Sequence, residues 1–122
     1  MSSLKGLIPD HLAYAISKLY EGYFSGYPMA EADLSYIADV QTKLKEGLTQ
    51  KYSSYQDIDS VSATIETLDH IVQRLKHWLE EGELKGNMDA KIFIDALKWH
   101  YEALKGMLGE LDASGWMPGD ES

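Results

Sequence analysis

The chain has no cysteine. That removes disulfides, thiolate zinc sites and thiol nucleophiles together, and it fits a reducing compartment. Arg74 is the single arginine among 11 basic residues. Guanidinium forks dominate specific phosphate and base recognition. With 20 acidic residues and a net charge of −9, direct nucleic-acid binding is not expected. No apolar run approaches the ~18 residues that suggest a membrane span. The opening MSSLKGLIPDHLAYAISKLY lacks a charged segment followed by an unbroken apolar one, so no signal peptide is expected. These absences predict a soluble, cytoplasmic protein. Prolines number only three, and alternating β-branched runs, the usual sign of strands, are missing.

What is present is helical spacing. At 122 residues and 44% apolar composition, the chain fits one domain with one core. Apolar periodicity predicts helices over 9–25, 29–50, 59–81 and 88–112. Pro9 and Pro28 suit helix starts, where a missing N–H costs nothing. Gly22 and Gly26 punctuate the end of the first helix, and SSYQDIDS reads as a polar turn. Gly82 suits a left-handed position after the third helix, and Asn87 an N-cap before the fourth. Short connections between four helices predict an all-α, up-down antiparallel four-helix bundle over residues 1–113. Residues 114–122 read as a short acidic tail.

The third helix carries the clearest stripe: Val61, Ile65, Leu68, Val72, Leu75 and Leu79, widened by Ile71 and Trp78. His70 and His77 fall on its opposite face, with Glu66, Gln73 and Glu80. Seven residues apart, the two histidines stand about 10.5 Å apart along the axis, too far for one metal ion. His77 and Glu81 match one His-x-x-x-Glu spacing of hemerythrin-like di-iron bundles, but the remaining histidines of such a site have no counterpart. Ferritin-like sites need Glu-x-x-His twice, and that pattern is absent. No nucleophile elbow, phosphate loop or HExxH motif occurs. The expectation is therefore a protein that is not an enzyme and holds no cofactor or metal.

The fourth helix contains Trp99-His100-Tyr101-Glu102, residue types that enzymes use. Wound as a helix, the cluster separates. Phe93, Leu97, His100, Tyr101, Leu104, Met107, Leu108 and Leu111 share a core face. Lys91, Asp95, Lys98, Glu102 and Lys105 form a ladder of alternating charge, the mark of a solvated face. His100 then sits among apolar neighbours. A buried imidazole needs a partner, and Gln41 or Asp33 of the second helix is the expected one. On a third face, Ile92, Ala96, Trp99, Ala103 and Gly106 form a line of mostly small residues. It fits either a seam with a second helix of the same chain or an interface with another chain, Trp99 serving as aromatic anchor.

The first helix repeats this double pattern. Ile8, Leu12, Ile16, Leu19 and Tyr23 make a core stripe, while Ala13, Ser17, Tyr20, Phe24 and Tyr27 make a second line. Aromatics lose little rotamer entropy on contact and suit binding surfaces, although Tyr20 and Phe24 would equally close one end of a bundle. Charge is uneven: residues 1–56 carry six acids and five bases, residues 57–122 fourteen and six. Glu80, Glu81 and Glu83 close the third helix, and Glu110 and Asp112 the fourth, where carboxylates oppose the helix dipole. Such corners suit either solubility or a basic partner.

Together these features predict a non-enzymatic interaction module, a regulator or inhibitor docking on a basic or nucleic-acid-binding protein, with a homodimer as one of its forms. Immunity proteins and phage-encoded blockers of defence nucleases offer an analogy of size and charge. The partner-binding residues expected are Tyr20, Phe24, Tyr27, Ile92, Trp99, Glu80, Glu81 and Glu83. The alternative is a small-ligand or metal-binding bundle with its ligand near His100 and Tyr101.

Overall fold

Each expected helix forms, with ends moved by one or two residues. In the computed structural model, which describes residues 4–25, 30–51 and 58–113, a 3-10 turn over Lys5–Leu7 precedes α1 (His11–Ser25), α2 (Ala30–Lys51), α3 (Asp59–Glu80) and α4 (Met88–Ala113). No strand occurs among the described residues. Pro28, Gly26, Tyr27, most of the SSYQDIDS turn and the 114–122 tail lie outside them.

Cross-helix contacts fix the topology. His11 stacks edge-on against Tyr36, ring centroids 5.2 Å apart. Lys45 pairs with Asp69 at 2.8 Å. Trp78 meets Phe93 at 5.2 Å, and Thr64 reaches Met107 further along the same seam. Lys105 pairs with Asp10 at 3.6 Å. Every consecutive pair of helices runs antiparallel, and α4 returns beside α1. The α3–α4 seam is the most extensive and the α1–α4 seam the sparsest of the four.

The core follows the stripes. Leu12, Ile16 and Leu19 of α1 meet Leu34, Ile37, Leu44 and Leu48 of α2, the whole α3 stripe, and Ile94, Leu97, Leu104 and Leu108 of α4. Burying one such aliphatic side chain contributes roughly 1.5–3 kcal/mol, and the stripes place about five on each helix at the spacing that makes burial simultaneous.

The helix ends are set locally. Gly82 has φ +71°, a conformation that L side chains avoid. Its N–H donates to the Leu79 carbonyl at 3.1 Å, and that of Glu83 to Trp78 at 2.7 Å, the paired bonds of a Schellman ending. Asn87 Oδ1 accepts the N–H groups of Asp89 and Ala90 at 3.0 and 3.2 Å, capping α4. Pro9 instead stands just ahead of α1, its carbonyl accepting from Leu12. Gly22 does not end α1; it is buried within it.

At the other end of the bundle Asp112 departs from the expected acidic corner. Its carboxylate accepts the N–H of Leu4 at 2.9 Å and of Lys5 at 3.1 Å. A carboxylate misplaced for α4 is thus well placed for the 3-10 turn, whose first N–H groups need acceptors. Leu4 is fully buried, so this bond closes the base of the core.

Candidate functional site

Leu97, Leu104 and Leu108 turn α4 toward the core. At about 100° per residue, the line Ile92–Trp99–Ala103–Gly106 falls on the side facing directly away from it. Ile92 is 58% exposed and Trp99 63%. Ala103 and Gly106 are exposed and Ala96 half-buried. The seam with a second helix of the same chain, expected as one reading of this line, is not formed: no described helix covers Trp99. The apolar face of α4 is already used on the opposite side by α1 and α3, so nothing in a four-helix ring remains to pack over it.

The line extends beyond the residues singled out from the sequence. Met88, one helical turn before Ile92, is 63% exposed. The Tyr23 hydroxyl donates to its sulfur at 3.0 Å, and the Phe24 ring meets Tyr23 edge-on at 4.9 Å. Phe24 is itself 67% exposed. The Gly86 N–H donates to the Tyr23 carbonyl at 2.8 Å, which pins the end of α1 to the start of α4. Phe24, Tyr23, Met88, Ile92 and Trp99 therefore form one strip, about 27 Å long from Met88 to Gly106. Met88 was legible: it lies four before Ile92, directly after the Asn87 cap. The link through Tyr23 was not, because it depends on how α1 meets α4.

Tyr20 sits on the flank of this strip. Its hydroxyl donates to Asp95, which also pairs with Lys91 at 3.2 Å. The Tyr20 bond, with Lys91 second, holds the Asp95 carboxyl below the usual carboxylate range. Burial, reinforced by Asp95, pushes the Tyr20 phenol up. The charge ladder is thus only partly a solvated face: Asp95 and Lys105 lean on α1, while Lys98 and Glu102 are exposed. Of the expected partner-binding residues, Tyr20, Phe24, Ile92 and Trp99 come together here. Glu80, Glu81 and Glu83 are exposed around the end of α3, at the same end of the bundle as Phe24 and Met88.

The buried polar residues are arranged differently from the expectation. His100 is half-buried rather than enclosed, and its Nδ1 lies 2.7 Å from the Ala96 carbonyl one turn back on its own helix. Neither Gln41 nor Asp33 satisfies it. Gln41 is buried, as expected, but faces the Tyr101 hydroxyl. Neither Gln41 Nε2 nor the Tyr101 oxygen completes a directed hydrogen bond among the described residues, and burial pushes the Tyr101 phenol up. Asp33 is half-buried near Lys18, Glu21 and His11, and loss of hydration raises its carboxyl.

A groove of about 400 Å³ opens along the sparse α1–α4 seam, floored by Ile8, Leu12, Ile16 and Tyr101 and rimmed by Lys98 and Lys105. His100 does not line it. His70 and His77 are exposed. Among the described residues no group of three or more His, Asp or Glu side chains is placed to hold a metal ion, and no helix is long and apolar enough to cross a membrane. No family model, curated protein or solved structure matches the chain.

Proposed function

We propose that the protein is a non-enzymatic interaction module, a cytoplasmic regulator or inhibitor that docks on a basic protein through its helical faces. The observation that carries this reading is the exposed strip from Phe24 to Trp99. Three of its large side chains are more than 60% exposed, and contiguous apolar surface of this kind marks contact sites. Rigid aromatic anchors supply contact area at low entropic cost. The net charge of −9 and the Glu80–Glu81–Glu83 corner support a basic partner, because they raise its encounter rate.

The test is capture from an extract of the native host, with bound proteins identified by mass spectrometry. The wild type is expected to retain a basic protein that is lost with Trp99→Ala and with Glu80, Glu81 and Glu83 all changed to Lys. Retention indifferent to both variants would overturn the reading. A second reading, a small-ligand bundle, has the α1–α4 groove in its favour, with Tyr101 on the floor and two lysines able to meet an anionic group.

A further inference from the structure

The strip on α4 has flanks, and their charges are ordered. Lys91, Asp95, Lys98 and Glu102 run along its α1 side at spacings of four, three and four, while Lys105, the fifth member of the ladder, is drawn off to Asp10 ahead of α1. The order is plus, minus, plus, minus. Read backwards it is minus, plus, minus, plus, so this flank complements a reversed copy of itself. In an antiparallel helix pair about a two-fold axis, the same flank of each helix meets its own copy.

We propose that the strip is occupied by a second copy of this chain, α4 packing antiparallel on α4 across a two-fold axis near Leu97 and Lys98. This rests on the strip being a docking surface and names its occupant. With the axis between those two residues, Ile92 faces Ala103 of the second copy and Trp99 faces Ala96, and the same contacts repeat by symmetry. Each large side chain thereby meets a small one, which lets the helices approach closely and fill the space between them. The flank then sets Lys91 against Glu102 and Asp95 against Lys98. In the strip's register each of these partners is offset by two residues, about 3 Å along the axis, well within the reach of a lysine. A parallel pair would instead turn this flank toward the far side of the strip, where Asp89, His100 and Met107 offer no matching alternation.

Those four charges sum to zero, so they add no repulsion between two copies of a chain of net charge −9. One helix face makes a small interface, and a dissociation constant on the order of 1–100 µM is expected.

Sedimentation velocity of the full chain across that range tests the proposal. Trp99→Ala and Ala103→Glu, both at exposed positions, are expected to leave helicity unchanged by circular dichroism and to keep the chain monomeric. Glu102→Lys alone and Lys91→Glu alone each set like charges opposite one another and are expected to weaken self-association about tenfold. Mixing these two variants restores both pairs, so the mixture is expected to form a heterodimer at near wild-type strength. Failure of the mixture to recover overturns the proposal, as does a dimer indifferent to Trp99→Ala. A chain that stays monomeric overturns it too, even where Trp99→Ala abolishes capture of a basic protein, a result that leaves the docking reading standing.

Discussion

Tyr20 and Asp95 form a contact between helices whose strength depends on pH from both sides. Asp95 gives up its proton more readily in the folded chain, because the Tyr20 hydroxyl and Lys91 meet the charged form. Its contribution is complete above the unfolded carboxylate value, near 4, and is lost as pH falls through the lower folded one. Tyr20 holds its proton more tightly when folded, so its contribution is complete below about 10 and is lost as pH rises toward the folded value. Tyr20→Phe is expected to cost about 1 kcal/mol at neutral pH. In urea denaturation the gap between wild type and variant should be level between about pH 5 and 9 and narrow on either side. A gap unchanged at pH 3 would rule this account out. Neither this pair nor the partner of His100 could be read from the sequence. The first needs the register of α1 on α4. The second is not a side chain of another helix at all, since the imidazole meets a backbone carbonyl one turn away on its own helix.

The individual helices were far more legible, because their ends are written locally. Gly82 and Asn87 act where their chemistry predicts, one by its positive φ and the other by its side-chain oxygen. Gly22 misled, since it lies buried inside α1 rather than at its end, and how much room a helical glycine has is set by the tertiary structure. Two other glycines show the difference quantitatively. A methyl group added at Gly106 would meet nothing within 4 Å, whereas one at Gly47 would come 2.6 Å from Leu7 Cδ2. Both lie inside helices, where alanine is favoured over glycine by roughly 0.5–1 kcal/mol. Gly106→Ala should therefore raise the melting temperature. Gly47→Ala should gain nothing or lose stability, because Leu7 must shift and the 3-10 turn with it. Calorimetry of the two variants makes the comparison, and an equal rise in both would show that Leu7 yields freely.

At the scale of the whole molecule, the bundle was legible from four stripes and short connections. The outer face of α4 was visible as a line of residues but not as a surface. Whether Trp99 met a neighbour depended on which helices are adjacent, and periodicity does not specify that. Net charge is a property of the whole as well. Exposed pairs such as Asp39–Lys43, 3.1 Å apart, contribute little, while the excess of acids works against compaction. Raising salt from about 0.01 to about 1 M shortens the Debye length from about 30 to about 3 Å. The melting temperature is expected to rise with it, and a steady fall would mean that ion pairs outweigh the repulsion.

The bond from Asp112 to Leu4 spans 108 positions of sequence. With α4 lying against α1, the four helices form a cycle in which each touches the one before and the one after. A cycle has no privileged starting point. A chain in which residues 4 and 112 were joined and a new opening cut in the exposed α3–α4 turn would keep every helix-to-helix seam. The order in which these helices are strung is thus one of several that would build the same ring.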